Sequence, residues 1–472
     1  MSKIKKNFVL EGLEVIDIST EGKAIAKHDG LVVFIDGAVP GDVVDVMVHR
    51  KKNSFAEGRV HHVIKYSADR VKPVCQHFGT CGGCKWQNLD YQKQLEFKRK
   101  YVFDAFTRIG KLVFPEILPI LGNKEPYFYR NKLEFSFSNN RWLTTEQMIS
   151  EENVQNRDAL GFHVPGLFDK ILDIENCYLQ AEPSNSIRNA VKKYALQNKL
   201  SFFDIRKRSG FLRTLLIRTA STGEIMVVVS VCDWLEKELF DLLDFLKITF
   251  PQITSLQYTH NDKGNDTFFG LDIKTYHGRD HILENMEKLR FKISPKSFYQ
   301  TNSDQAYELY KITRDFAGLT GNELVYDLYT GTGTIANFIA KHAKKVIGIE
   351  YIEDAVKDAI ENSKANGVLN TEFFAGDMKL VLNEDFISEH GKPHVVVTDP
   401  PRAGMEEAVI KTILTILPEK IVYVSCNPST QARDLALLQT NYRILKTQPV
   451  DMFPHTAHVE NVVLLEQIKS CH

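Results

Sequence analysis

The residues of this chain most suggestive of chemistry are Cys426 in Ser425-Cys426-Asn427-Pro428 and Glu460 in His458-Val459-Glu460. A free thiol is most often a small buried apolar side chain. Here the cysteine follows an apolar run, 421–425, and precedes an Asn-Pro pair, which points to a strand tip and a nucleophile. Only a few per cent of an ordinary thiol, with a pKa of about 8.5, is ionised at pH 7. A positive neighbour would raise that fraction, and Arg402 in Asp399-Pro400-Pro401-Arg402 is placed to be one. Arg402 could also stabilise a developing negative charge, while Asp399, at another strand tip, could hold the edge of a bound base. Glu460 opens the last apolar strand and is the candidate proton acceptor. Without the other motifs it reads as an edge-strand carboxylate.

These side chains need a scaffold, and the last third of the chain supplies one. Short apolar strands at 324–327, 345–350, 371–374, 394–398 and 421–425 are mostly separated by helix-like segments. That alternation predicts an α/β, Rossmann-like doubly wound parallel sheet with ligands at the carboxyl ends of its strands. After Tyr442 two strands follow without a helix, predicting an antiparallel hairpin that closes the sheet. The first strand runs into Asp327-Leu-Tyr-Thr-Gly-Thr-Gly-Thr334, where Gly331 and Gly333 permit a tight turn and close approach to a ligand. The dinucleotide fingerprint wants a third glycine where Ala336 stands, so the loop alone is a weak signal. Glu350 ends the second strand and suits ribose hydroxyls, and Asp377 follows the third strand near an expected adenine. Three such features on consecutive strands point to S-adenosylmethionine.

The rest divides into an N-terminal β unit, 1–70, and a central α+β region, 71–290, ahead of the 291–472 domain. Runs 31–35 and 43–48, punctuated by Asp29-Gly30, Asp36-Gly37 and Pro40-Gly41-Asp42, suit a five-stranded barrel of the oligonucleotide-binding kind. Arg50-Lys51-Lys52 falls between two of its strands and suits phosphates or plain solvent. A helix is expected from Tyr91 to about Ile109, with Lys93, Lys98, Arg99 and Lys100 on its solvated face. Phe135-Ser136-Phe137 and Leu215-Leu216-Ile217 read as strands and Ser186 to Asn198 as a helix.

Cys75, Cys81 and Cys84 form Cys-x5-Cys-x2-Cys, with Gly79, Gly82 and Gly83 among them and Cys177 the best candidate for a fourth ligand. Zinc and an iron–sulfur cluster suit this spacing equally. Cys232 and Cys471 have no evident partners.

In bulk, 472 residues predict two or three domains, and 43% hydrophobic with 25% charged residues describes an ordinary globular protein. A net charge of -1 argues mildly against a simple nucleic-acid coat protein, though not against an enzyme with basic residues on one face. No apolar run approaches membrane-spanning length, and Met1 to Lys6 lack the apolar stretch of a secretion leader. A cytoplasmic monomer without membrane contact is expected.

Together these motifs resemble the bacterial RNA uridine-5-methyltransferases, most closely the 23S ribosomal RNA enzymes of the RumA type, over nearly the whole chain. The resemblance rests on Phe298-Tyr-Gln300, Asp327 to Thr334, Asp399-Pro-Pro-Arg402, Ser425-Cys-Asn-Pro428 and His458-Val-Glu460. It implies an N-terminal TRAM barrel, a cysteine-bearing centre and a methyltransferase domain acting on RNA, with 23S rRNA preferred and tRNA the alternative. It implies that Gln300, Tyr329, Thr334, Glu350, Asp377 and Asp399 line the cofactor pocket and that Phe298 lies near the target base. Cys426 would be the nucleophile, Glu460 the base, and Cys75, Cys81, Cys84 and Cys177 the ligands of a [4Fe-4S] cluster. One departure is Thr330, where the family usually has cysteine.

Overall fold

A computed structural model describes residues 8–143, 148 and 157–469. Met1 to Lys6 and Cys471 lie outside them. Strands Phe8–Ile18, Ala24–His28, Leu31–Asp36, Val43–Lys51 and Phe55–Lys65 form a closed barrel. Period-two burial along Val44, Val46 and Val48 fills its interior with β-branched side chains. The buried Asp42 carboxylate accepts Val39 N (2.8 Å) and Ser67 N (2.9 Å), pinning the turn that contains Gly41. Arg50 faces Glu57 at 3.2 Å, and Lys52 lies over the Phe55 ring.

A seven-stranded sheet follows, with Lys132–Ser138 and Leu212–Thr219 adjacent at its middle. Helices Ser184–Gln197 and Glu236–Thr249 pack on it through Ile187, Val191, Leu239 and Leu243. Both strands and the first helix fall where the sequence places them.

The last sheet has the order Thr371–Ala375, Lys345–Glu350, Leu324–Leu328, Val395–Thr398, Lys420–Ser425, Glu460–Gln467, Tyr442–Val450. Its first five strands are parallel, and the final hairpin is antiparallel, as the missing helix predicts. Alternate residues serve opposite layers: Val325, Val346 and Val397 pack with helix Ser303–Ala317 on one face. Tyr326, Ile347 and Val396 pack with helices Glu407–Ile416 and Pro428–Leu438 on the other. Burial on both faces explains why these strands read as continuous apolar runs. Strand Leu324–Leu328 pairs on both sides with parallel strands, so strand order reverses there and leaves a ligand crevice at the carboxyl edge.

Helix Tyr91–Asp104 joins the units and continues as a wider π-helical turn to Gly110. Asp90 caps it, accepting from Gln92 N (2.9 Å) and Lys93 N (3.3 Å). One expectation for this helix fails. Lys98, assigned to the solvated face, is fully buried and paired with fully buried Asp451 at 2.5 Å. The hairpin that covers it lies over 350 positions later in the chain, beyond the reach of helical periodicity.

Candidate active site

Cys426 and Glu460 arrive from adjacent strands. Ser425 pairs with Asn461 in antiparallel register, so the next residue of one strand faces the preceding residue of the other. Two devices hold this end. Asn427 caps the following helix, accepting Ser429 N at 3.1 Å, and Pro428 opens that helix. Gln431 then reaches across, donating to Tyr423 O (3.0 Å) and Asn461 O (3.2 Å) and accepting from Asn461 Nδ2 (2.7 Å).

The site is a buried cluster of acids. Burial, with the Asp399 carboxylate beside it, pushes Glu460 up to about 8, against a smaller opposing pull from Arg402. Burial, reinforced by Asp327, raises Asp399 to about 7. Burial likewise raises Asp327 to about 7, although Thr330 Oγ1 donates to it at 2.5 Å. The Cys426 thiol is half-buried and pushed up to about 11 by burial and then by Glu460 and Asp399. The expected activation by Arg402 exists but is outweighed in the ligand-free site. Protonation of the two carboxyl groups relieves that repulsion, so thiol and acids titrate as one coupled set.

Arg402 itself is exposed, and its carbonyl accepts from Asn427 Nδ2 (3.0 Å) and Thr430 Oγ1 (3.1 Å), tying the Pro-Pro turn to the cysteine loop. Phe298 is 68% exposed, and its carbonyl accepts from Thr332 Oγ1 at 3.5 Å. Gln300 is buried, its side chain bonding Tyr310. Sequence reasoning missed Tyr310. Its hydroxyl is fully buried and held far above the ordinary range by burial, Asp399, Asp327 and Glu460. On an amphipathic helix it reads as core, and only its place ten positions beyond Gln300 hinted otherwise.

The glycine loop is shaped for a ligand. Gly331 and Gly333 have φ of 56° and 74°, and a Cβ on Gly331 would meet nothing within 4 Å. A Cβ on Gly333 would lie 2.8 Å from Ala359 Cβ and 3.0 Å from Phe373 Cζ. Tyr329 also has positive φ, 63°, a strained conformation for a bulky residue at a strand end. Thr334, buried, begins the helix after Gly333. Glu350 accepts Gly331 N and Ile352 N, each at 3.0 Å, through different oxygens. Each oxygen keeps a lone pair for a hydroxyl donor. Asp377 caps helix Met378–Val381 and pairs with Lys379 at 3.2 Å. Thr398 Oγ1 is buried at the end of its strand with no hydrogen-bond partner among the described residues. A cradle with open glycine Cβ space, a carboxylate with lone pairs to spare and an unpaired buried hydroxyl fits an adenosine cofactor.

The four cysteines converge elsewhere. Cys75, Cys81, Cys84 and Cys177 line one cavity of about 550 Å³, all as free thiols. Burial raises Cys81 to about 11 and Cys84 to about 12, and Gly83 N donates to Cys81 Sγ at 3.4 Å. Among the described residues no three His, Cys, Asp or Glu side chains are drawn together as ligands of one metal ion. The expected closed ligand set is therefore not formed. The donor chemistry still suits an anionic group. Arg188, 1% exposed, finds only neutral acceptors, Asn185 Oδ1 (2.9 Å), Glu175 O (2.5 Å) and Asn189 Oδ1 (3.1 Å). Cys177 as thiolate, with the Asp173 and Glu182 carboxylates, would favour its charge.

Comparison with known proteins fits this geometry. Residues 272–468 match the tRNA (Uracil-5-)-methyltransferase family, and residues 13–61 match the TRAM domain. An uncharacterized RNA methyltransferase of Bacteroides thetaiotaomicron is 56% identical, over 95% of this chain and 100% of that protein. This chain belongs to the uracil-5 RNA methyltransferase family. An uncharacterized RNA methyltransferase of Porphyromonas gingivalis is 54% identical, over 96% of this chain and 99% of that one. The crystal structure of Pyrococcus abyssi tRNA (uracil-54, C5)-methyltransferase with S-adenosyl-L-homocysteine is 28% identical with a TM-score of 0.75. It covers 97% of this chain and 100% of its own. The protein is thus an S-adenosylmethionine-dependent RNA methyltransferase with an N-terminal TRAM barrel. Among the described residues no helix is long and apolar enough to cross a membrane.

Proposed function

We propose that the protein methylates carbon 5 of a uridine in 23S rRNA through a covalent adduct between Cys426 and carbon 6. The observation that carries this reading is the convergence of a thiol and a buried carboxyl group on adjacent strand tips. The chemistry requires both. Uracil carbon 5 is too weak a nucleophile to take a methyl group unaided. The Cys426 thiolate adds to carbon 6, loading electron density onto carbon 5 and its neighbouring carbonyl. Arg402 stabilises that negative charge. S-adenosylmethionine supplies an electrophilic methyl group when held by the Gly331–Gly333 loop and Glu350. The carbon 5 electron pair takes this methyl, and the sulfonium leaves as a neutral thioether. Glu460 then removes the carbon 5 proton, the carbon 6–sulfur bond breaks, and the thiolate is regenerated. Gln300, Tyr329, Thr334, Asp377 and Asp399 line the cofactor side, and Phe298, exposed at the rim, meets the target base.

The 23S preference rests on the sequence resemblance. A tRNA uridine is the second reading, favoured by the full-length similarity to the Pyrococcus abyssi tRNA enzyme. We also assign a structural [4Fe-4S] cluster to Cys75, Cys81, Cys84 and Cys177, supported by their shared cavity and the neutral-partnered Arg188 beside it. Iron and sulfide analysis of anaerobically purified protein tests it, and zinc or no metal would refute it.

RNA carrying 5-fluorouridine tests the mechanism, because no proton can leave carbon 5. A covalent enzyme–RNA complex that requires both cofactor and Cys426 is expected. Active enzyme that traps nothing would eliminate the thiol route.

A further inference from the structure

Glu460 is the first residue of its strand, and the loop that delivers it, residues 451–459, has no regular structure. Such a loop would normally leave a strand tip free to shift. This one is gripped from outside the methyltransferase sheet, by the helix Tyr91–Asp104 and by the segment directly after Cys84. At its near end Asp451 follows Val450, the residue paired with Glu460. There Lys98 holds the carboxylate and also donates to Phe453 O at 2.9 Å. Tyr91 donates to the second Asp451 oxygen at 2.7 Å.

The second grip is at His455, and its geometry is unusual. His455 has φ of 62°, a left-handed conformation uncommon outside glycine, although histidine tolerates it better than most side chains. Its ring is buried. Gln94, itself fully buried, holds the residue in this conformation. Gln94 Oε1 accepts His455 N at 2.9 Å, while its Nε2 lies 3.2 Å from His455 Nδ1 and 2.9 Å from Trp86 O and Leu89 O. From the other side His455 O accepts Lys85 N (2.8 Å) and Trp86 N (3.1 Å). Tyr127 closes the ring's face at 4.4 Å. One buried glutamine thus ties His455, five positions before Glu460, to the Trp86–Leu89 segment, whose first residue in turn donates to His455 O. Strain of this kind persists only where the surroundings over-determine it, and it gathers at functional sites.

We propose that Gln94 and His455 are positioning residues that lock the 451–459 loop, and through it hold Glu460 at the target carbon for proton removal. The proposal rests on the reading of Glu460 as the base. Among the described residues, the hydrogen bonds of Gln94 and His455 reach neither Cys426 nor the Gly331–Gly333 loop, so the lock acts on the step that uses Glu460. Addition of the thiol and methyl transfer precede proton removal and proceed without it. Loss of the lock therefore strands the methylated adduct, whereas general loosening would weaken cofactor binding and addition alike.

The experiment compares Gln94→Met, which keeps volume and removes the polar atoms, and His455→Gly, which keeps the left-handed backbone and removes the ring. Each is incubated with unmodified RNA and S-adenosylmethionine beside Glu460→Gln. Both lock variants should lose about 10- to 100-fold in kcat, the effect of an ångström-scale misplacement of a catalytic group. They should accumulate covalent enzyme–RNA adduct, as Glu460→Gln does, with S-adenosylhomocysteine affinity unchanged. His455→Asn, tolerant of positive φ and able to bond Gln94, should restore turnover. If Gln94→Met does not fold, His455→Gly carries the test. Adduct with Glu460→Gln but none with a folded lock variant overturns the lock and leaves the base assignment standing. Absence of adduct with Glu460→Gln overturns the base assignment, and the lock with it.

Discussion

Replacing Glu460 by glutamine removes the most strongly displaced carboxyl group of the site, and its effect on stability follows from linkage. An ordinary glutamate gives up its proton near 4.5, whereas in the folded, ligand-free protein burial and Asp399 hold that proton to about 8. Between those two pH values the folded chain binds more protons than the unfolded chain. Stability contributed by this group therefore falls as pH rises. At about 1.36 kcal/mol per pH unit, the wild-type penalty relative to glutamine grows from under about 1 kcal/mol at pH 5 to roughly 4 or 5 at pH 9. Asp399 and Asp327 titrate with the same sign but are present in both proteins, so they largely cancel in the comparison. Urea unfolding of both proteins at pH 5, 7 and 9, without cofactor or RNA, reads the difference. Glu460→Gln should gain steadily on the wild type with rising pH. A gap that is constant, or that narrows toward pH 9, would refute the assignment of a buried, proton-holding glutamate.

The same titration governs turnover: a base must be ionised to accept a proton, so breakdown of the methylated adduct should accelerate from pH 6 and level off above about 8. Single-turnover measurement of adduct decay checks this, and a flat profile would contradict it. Gly333→Ala places a Cβ 2.8 Å from Ala359 Cβ at φ of 74°. It should cost about 1–3 kcal/mol locally and weaken S-adenosylhomocysteine binding measured by calorimetry. Lys98→Met leaves the fully buried Asp451 without its cation. Loss of one partner of such a pair should destabilise by about 3–5 kcal/mol, with part recovered in Lys98→Met/Asp451→Leu, as read by thermal unfolding.

What was legible in the sequence, and what was not, divides along a physical line. Doubly buried strands announce themselves as apolar runs, and their tips as Gly-x-Gly, Asp-Pro-Pro-Arg or Cys-Asn-Pro, because local backbone geometry demands those residues. The Asp327–Thr334 loop, the antiparallel closing hairpin and the meeting of Cys426 with Glu460 follow from such signals. Long-range burial leaves no local trace. Lys98 looks like one more cation on a polar helix face until Asp451 folds over it. Gln94 and His455 are unremarkable letters, and Tyr310 passes for core. Charge balance was misjudged for a related reason: Arg402 is one residue among several, and the site's net effect on Cys426 depends on how many carboxyl groups burial gathers beside it. The cysteine spacing foretold convergence on one cavity, but the thiols stand apart from a closed ion site.

The central claim is tested most directly by methyl transfer from labelled S-adenosylmethionine to unmodified 23S rRNA and tRNA in parallel, with nucleoside analysis, for wild type and Cys426→Ala. The account predicts 5-methyluridine in 23S rRNA with the wild type and none with Cys426→Ala. Label in tRNA alone would shift the substrate to the second reading. Methylation that survives Cys426→Ala, or label in any nucleoside other than 5-methyluridine, would contradict the mechanism.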